Sequence, residues 1–304
     1  MSMVSIQMCC FNGEKHLREA IDSILAQTYT NWELIFWDNR STDLSSAILK
    51  EYEDPRIKYF LAPVHTNLGG GRAKSWPLLT GELIAFLDVD DTWEPDRLEL
   101  QIPLFNNPEV SIVAGNVLWK NDHNQELIYN AWYPQEGYIT KNLLKRYFLS
   151  LPSVMLRRSA VGKLETAFDP KFSHISDYDL FVRISTTGKL AIVQKKIANW
   201  RVDMNSLSWA RRTEFYSEHI DWIERYKRAD WFKPYRTALP SLLFYVLARK
   251  LYFAVLENEY NCSDTTGLIR ITDISAFYAF KILKKRPIRW LFALHFKKRI
   301  RKWV

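Results

Sequence analysis

The sequence predicts an α/β fold with a mostly parallel, doubly wound central sheet, followed by a helical C-terminal region. Three observations carry this reading. Short apolar runs of strand character alternate with helical patterns through the first half. The run Leu83–Leu87 is apolar throughout, as in a strand buried on both faces. Beyond about Ser208 strand signals stop and aromatic-rich helical stretches take over.

Val4–Cys9 reads as the first strand. Glu14–Gln27 reads as a helix, because Leu17, Ile21, Ile24 and Leu25 fall on one face. Glu33–Trp37 is the second strand, Leu44–Tyr52 the second helix and Ile57–Leu61 the third strand. Gly69–Leu79 reads as a loop leading into a helix. Glycines 69–71 form a flexible turn there and not a phosphate loop, since Lys-Ser/Thr does not follow them. After Leu83–Leu87, Glu94-Pro95-Asp96 places a proline and acids at the start of a helix spanning Trp93–Phe105.

Val110–Gly115 returns to strand, and Gly115 to Tyr138 weakens into polar sequence rich in aromatics, where irregular structure or hairpins are expected. Ser153–Leu156, Leu190–Val193 and Lys196–Val202 read as strands and Tyr178–Ser185 as a helix. The organisation expected is therefore an α/β domain over 1–207, with halves 1–115 and 116–207, and a helical region over 208–304.

Composition narrows the class. At 304 residues with 47% hydrophobic and 25% charged residues, the chain has the makeup of a folded globular protein, neither disordered nor polytopic. Cys9, Cys10 and Cys262 cannot build a disulfide framework, and no basic-then-apolar leader opens the sequence, so a reducing cytoplasm is the expected location. The most apolar stretch, Ala238–Ala248, is too short for a bilayer, which takes about 20 residues.

The net charge of +8 is concentrated. Residues 281–304 hold ten Lys/Arg and no acid, leaving 32 basic against 34 acidic residues in the body. A nucleic-acid footprint belongs on the folded domain, so that class is disfavoured. In the tail, Phe292, Phe296, Ile300 and Trp303 recur at near-helical spacing among Lys and Arg, a pattern suited either to an anionic membrane surface or to packing on the body.

The chemistry centres on Asp88, Asp90 and Asp91, which follow the buried strand and so fall at the carboxyl edge of the sheet, where open α/β folds bind ligands. Asp-x-Asp on a turn offers hard oxygens to Mg²⁺ or Mn²⁺, which bind through one or two carboxylates plus substrate phosphates. A solvated acidic turn is the plainer reading of the motif by itself.

The wider pattern resembles the inverting glycosyltransferases of family 2, with the GT-A fold. The resemblance runs through Val4-Ser5-Ile6, Phe11-Asn12-Gly13-Glu14 and Ala26-Gln27-Thr28-Tyr29. It continues through Trp32-Glu33-Leu34, Asp38-x-x-Ser41-x-Asp43, Asn67-Leu68-Gly69, Gly81-Glu82 and Phe86–Asp91, and covers roughly residues 3 to 205. It implies a nucleotide-sugar donor half over 1–115, an acceptor half over 116–207, and a Mg²⁺ or Mn²⁺ cofactor. It implies further that Asp38 binds the base or ribose with Phe11 and Glu33 nearby, and that Asp88 faces the ribose or metal. Asp90 is then the principal metal ligand, with Asp91 beside it.

Arg72 falls where the family often has a basic residue near the nucleotide; a surface role is the alternative. Ser176-Asp177-Tyr178-Asp179-Leu180 resembles the family's Glu-Asp-x-x-Leu segment, which makes Asp177 the general base. Without that resemblance, Asp177 and Asp179 read as acids favouring a helix N-terminus. The sequence departs from the family in having Cys9 for a proline and Ser176 for a glutamate. Asp203 stands where a histidine often meets the metal or diphosphate, and it either binds the cation or is a loop substitution. His16, His65, His123, His219 and His295 show no ligand spacing and read as ordinary polar positions.

The function expected is an inverting, metal-assisted transfer from a nucleotide-diphosphate-sugar to a glycan or lipid-linked acceptor. It would serve surface polysaccharide synthesis, peripheral to the inner membrane face. The alternative is a catalytically inactive nucleotide-sugar-binding or assembly subunit. An oligomer through the helices after Ser208 is compatible with either.

Overall fold

The computed structural model describes residues 2–121, 126–130, 136–202, 206 and 211–256. The chain forms two compact units, Met1–Val202 and Asp203–Val304.

The first unit is built on strands β1 (Val4–Cys10), β2 (Trp32–Asp38), β3 (Ile57–Leu61), β4 (Leu83–Phe86), β5 (Thr92–Trp93), β6 (Val110–Lys120), β7 (Glu126–Asn130), β8 (Met155–Arg157) and β9 (Lys189–Arg201). Its helices are α1 (Leu17–Leu25), α2 (Ser45–Lys50), α3 (Leu68–Ser75), α4 (Arg97–Gln101), α5 (Thr140–Lys145), α6 (Arg158–Val161) and α7 (Ser176–Ser185). The strands form one sheet in the order β3-β2-β1-β4-β8-β6-β9-β5, with β7 beside β6.

From β3 to β4 every pairing is parallel, as the alternation of strand and helix predicts. The α1 face carrying Leu17, Ala20, Ile21 and Ile24 buries against β1 and β2, whose inward residues Val4, Ile6, Met8, Leu34 and Phe36 are also inaccessible. Apolar area removed from water, at about 25 cal/mol per Å², is what holds this half together. The register sets Cys10 opposite Asp38 and Asp38 opposite Leu61, so the ends of β1 to β3 lie along one edge.

Beyond β4 the sheet is mixed, which the sequence did not reveal. β8 runs antiparallel to both β4 and β6, and β5 runs antiparallel to β9. Short apolar runs read alike in either direction, so pairing sense is set by tertiary contact. The two strands expected within 190–202 are one long strand, pairing parallel with β6 through an irregular register between Gly115 and Val117.

The helix expected over Trp93–Phe105 is shorter. Thr92–Trp93 joins the sheet, α4 occupies Arg97–Gln101, and a 3₁₀ segment follows at Ile102–Asn106, where Pro103 has no N–H for a helical bond.

Glycines 69–71 are not a flexible turn but lie inside α3, capped by Asn67, whose Oδ1 accepts from Gly70 N at 2.7 Å. A Cβ at residue 69 would lie 1.8 Å from the Phe172 carbonyl oxygen. Only glycine lets α3 press this closely on the loop entering α7.

In the second unit, α8 (Arg212–Tyr226) and α9 (Leu239–Leu256) flank a 3₁₀ segment at Asp230–Ala238. Trp222 is fully buried, with the Phe232 ring 6.0 Å away, and Tyr216 stacks on Phe253 at 5.8 Å. Among the described residues no helix is long and apolar enough to cross a membrane. Asp203 and the tail 281–304 lie outside the described residues.

Candidate active site

The carboxyl edge of β1 to β4 is a set of loops latched to one another. After β1, Asn12 adopts a left-handed φ of 55°, and after β2, Arg40 adopts 68°. Non-glycine residues in that region mark backbone held by its surroundings. The hold is visible: Asn12 N donates to Ser41 Oγ at 3.1 Å, and Thr42 N donates to Asn12 Oδ1 at 2.8 Å. Glu14 and Asp43 complete the latch, Glu14 N donating to Asp43 Oδ2 at 2.9 Å and Leu44 N to Glu14 Oε2 at 2.8 Å. The loop after β3 is tied in by Asn39, whose amide donates to Thr66 O at 2.6 Å.

On this platform Phe11 is half exposed, with the His65 ring 4.3 Å from its own. His65 is itself fixed by Asn39 O, 2.9 Å from Nδ1. Asp38, at the end of β2, is buried and accepts from Ser41 N at 2.7 Å and Tyr59 Oη at 2.8 Å. Its carboxylate thus shapes the loop floor.

Glu33 is not part of this edge. It sits at the other end of β2, opposite Ser5, about 3.3 Å per residue or roughly 17 Å from Asp38 along the strand. It accepts from Ser5 Oγ at 2.5 Å, Thr80 N at 2.8 Å, Thr80 Oγ1 at 2.7 Å and Lys58 Nζ at 2.7 Å. Burial would raise its pKa, but Lys58, Ser5 and Thr80 together outweigh it and bring it down to about 2. The donor-binding expectation for Glu33 is corrected: it is a structural anchor.

Arg72 is buried, not a surface residue. From α3 its Nη1 donates to Ser176 Oγ at 2.9 Å and its Nη2 to Asp88 Oδ1 at 3.0 Å. Burial disfavours its charge, but the carboxylates of Asp88 and Asp177 outweigh this and hold its pKa above the ordinary value. The backbone end of α3 is pinned by Gln7, whose amide donates to Arg72 O at 2.9 Å and Ser75 Oγ at 2.8 Å. Ser176, where the family's glutamate is expected, therefore meets the guanidinium with a neutral hydroxyl. Cys9, in place of the proline, lies 3.7 Å from Ser75 Oγ, and burial pushes its thiol up to about 12.

The aspartate turn divides its labour. Asp90 lines a cleft of about 290 Å³ with Glu19, Thr92, Lys120, Asn199 and Arg201. Asp91 is buried and accepts the Arg201 N–H at 2.9 Å. Burial, then repulsion from Asp90 and Asp88, push its carboxyl well above the ordinary range. One oxygen of this carboxyl is thus taken by the Arg201 N–H, whereas Asp90 lines the open cleft. Arg201 adds Nε to Asp90 O at 3.1 Å and Nη2 to Glu19 Oε2 at 2.6 Å.

Among the described residues no three His, Cys, Asp or Glu side chains gather into a ready cation cage. A single carboxylate of the Asp90 type beside an open cleft still suits Mg²⁺ or Mn²⁺, which take most of their ligands from water and substrate phosphate.

Asp177 stands in the first turn of α7, half buried, and accepts from Tyr147 Oη at 2.7 Å. Burial raises its pKa, and Arg72 and the Tyr147 hydrogen bond take back part of that rise. Asp179, by contrast, is fully buried and paired with Arg183 at 2.6 Å inside α7. The two acids of this motif are thus placed differently: Asp177 is half buried and bonded to Tyr147, and Asp179 is fully buried and locked to Arg183.

A model of glycosyl transferase family 2 matches residues 5–164, more than half of the chain. The chain belongs to glycosyltransferase family 2. It is similar to the Escherichia coli UDP-Glc:alpha-D-GlcNAc-diphosphoundecaprenol beta-1,3-glucosyltransferase WfgD, with 31% identity over 209 residues covering 68% of this chain and 79% of that one. Among solved structures, Staphylococcus aureus TarS in complex with UDP-GlcNAc superposes with a TM-score of 0.63 at 14% identity, covering 91% of this chain and 79% of that one. The mannosyltransferase PcManGT from Pyrobaculum calidifontis in complex with GDP-Man and Mn²⁺ gives 0.62 at 15% identity, covering 95% and 83%. These likenesses establish the GT-A fold. As a family 2 member this chain is a glycosyltransferase enzyme.

For this glycosyltransferase, the side chains beside the candidate site that the sequence did not single out are Tyr147, His65, Glu19 and Arg201. Tyr147 follows α5 in an irregular segment with no periodicity to mark it. Arg201 stood within a segment resembling the family pattern, but nothing in its spacing tied it to Asp90 and Asp91.

Proposed function

We propose that this glycosyltransferase moves a sugar, with inversion, from a nucleotide-diphosphate-sugar to a hydroxyl of a lipid-linked or glycan acceptor in surface polysaccharide synthesis. The observation that carries the reading is the Arg72 bridge, which holds Asp88 of the aspartate turn and Ser176 of the α7 start on one guanidinium. It brings a donor edge and a base-bearing helix together from positions 104 residues apart.

Phe11 and His65 offer an aromatic surface for the nucleobase, with Asp38 at the end of β2. Arg72 and Asp88 face the ribose and diphosphate. Asp90 would hold Mg²⁺ or Mn²⁺, which when bound neutralises charge on the diphosphate. Asp177 takes the proton from the acceptor hydroxyl as its oxygen bonds to the anomeric carbon. The anomeric carbon–phosphate oxygen bond breaks, and its electron pair leaves with the nucleoside diphosphate. A raised pKa makes Asp177 a stronger base than an exposed aspartate. The lipid-linked acceptor class rests on the likeness to WfgD, whose name states a diphosphoundecaprenol acceptor. The basic tail 281–304 suits peripheral contact with an anionic inner leaflet, where such acceptors reside.

The test is a panel of UDP- and GDP-sugars with Mg²⁺ or Mn²⁺ and a diphosphoprenyl-sugar acceptor, read by product anomer and nucleotide release. Transfer with inversion, lost in Asp177→Asn, is the expected result. Nucleotide binding without turnover against any donor would overturn catalysis and leave a binding subunit.

A further inference from the structure

The segment between α5 and β8 brings the Tyr147 side chain to Asp177. We propose that Tyr147 is a positioning residue for the general base: its phenol clamps one carboxylate oxygen of Asp177, fixing the carboxylate plane and leaving the other oxygen to the acceptor hydroxyl. This rests on Asp177 being the base.

The geometry is specific. Tyr147 Oη donates to Asp177 Oδ2 at 2.7 Å, inside the range of charge-assisted O–H···O⁻ bonds. The Tyr147 ring packs edge-on against Tyr178, with centroids 5.2 Å apart and planes at 72°, so the phenol has a fixed approach. Tyr178 stands next to Asp177 on α7, and the same aromatic contact therefore seats both the clamp and the helix that carries the base.

Tyr147 is a donor only. Burial first, then the charge of Asp177, push its hydroxyl well above the ordinary tyrosine range, so it keeps its proton at any working pH. The groups facing Asp177 are Arg72 from α3, Asp88 from the turn after β4, Tyr147, and the N–H of Tyr178 on α7 itself. Of these, Arg72 is shared with Asp88 and Ser176, whereas the Tyr147 hydroxyl is given to Asp177. The carboxylate of a base must present one oxygen at a fixed angle to the incoming hydroxyl, and a carboxylate free to rotate loses that alignment.

The experiment is a pH profile of kcat on the full chain with Tyr147→Phe, Asp177→Asn, and 3-fluorotyrosine incorporated at position 147. Tyr147→Phe keeps the ring contact with Tyr178 and removes only the donated hydrogen. It is expected to lower kcat about tenfold, a part of what general base catalysis supplies. The donor KM should stay within about twofold, because the clamp does not touch the donor side.

Removing a hydrogen bond to the charged form raises the pKa of the base, so the acid limb of the profile moves to higher pH. Fluorotyrosine, a more acidic phenol and stronger donor, moves the limb to lower pH, and this arm decides the matter should Tyr147→Phe not fold. If Asp177→Asn silences the enzyme while neither substitution at 147 moves kcat or the limb, the clamp is overturned and the base stands. If Asp177→Asn retains full turnover, the base assignment fails and the clamp with it.

Discussion

The backbone N–H of Arg201 donates to the buried carboxylate of Asp91 at 2.9 Å, tying the end of β9 to a turn 110 residues earlier in the chain. That bond makes the aspartate turn a rigid feature of the sheet edge. The same arginine donates through its side chain to Asp90 O and Glu19, so three elements meet at one residue. The consequence is that Asp90 is presented to the cleft by a scaffold that Asp91 secures.

Asparagine at 91 preserves an acceptor for the Arg201 N–H and carries no charge, matching a carboxyl that burial already drives toward its neutral form. Asp91→Asn, which keeps that acceptor, should therefore weaken metal-dependent donor affinity by about tenfold or less, whereas Asp90→Asn should weaken it about 100-fold or more. Calorimetric titration of nucleotide-sugar with and without Mn²⁺ measures both. Equal losses in the two variants would make Asp91 a ligand beside Asp90.

Glu33 sits at the far end of the sheet and should matter for stability alone. Glu33→Ala strands the Ser5, Thr80 and Lys58 donors, at a cost of about 2–3 kcal/mol, with donor binding unchanged. Its folded pKa of about 2 lies below the ordinary value of 4.5. The unfolded state then binds the proton first on acidification, so the stability Glu33 supplies is whole above pH 4.5 and drains away as pH falls toward 2. Urea unfolding of wild type and Glu33→Gln across that interval checks the sign: the difference between them should shrink with falling pH.

Gly69 is the contact point between α3 and the loop that launches α7. A methyl group there collides with the Phe172 carbonyl, which is backbone and cannot swing aside. Gly69→Ala should cost about 3 kcal/mol or more of stability, at the upper end for overpacking, and should displace Arg72 from Ser176. A thermal melt lowered by only a degree or two would contradict this.

Phe11 exposes its ring beside His65 on a loop held in a left-handed turn. If a nucleobase stacks there, Phe11→Ala removes about 1–2 kcal/mol of donor affinity, roughly tenfold in Kd, without changing the melting temperature of the free protein. Titration with the free nucleoside diphosphate isolates this contact from the sugar.

Much of residues 1–115 was readable from sequence, for reasons visible in their elements. β1, β2 and β3 lie within one residue of their expected bounds and α1 within three, since their apolar periodicities report burial on a sheet and on one helix face. The Phe86–Asp91 turn declared itself by following a buried strand. Where reading failed, the deciding contact was remote. Glu33 and Asp38 flank one strand and look equally available in sequence, but strand direction places them at opposite edges. Glycines 69–71 resembled a turn because their helix is specified by a collision avoided with Phe172, not by local propensity.

The sequence by itself determined the α/β alternation, the carboxyl-edge position of the aspartates and, through its ordered motifs, the family. Those features depend on periodicity and on neighbours a few residues apart. Only the tertiary structure decided which carboxylates face the edge. Asp91 is engaged by Arg201, Asp179 by Arg183 and Glu33 by Lys58, whereas Asp90 lines the cleft and Asp177 meets Tyr147 beside Arg72. A carboxylate's role depends on which donors burial has already committed to it, and those donors come from elements brought together only by folding.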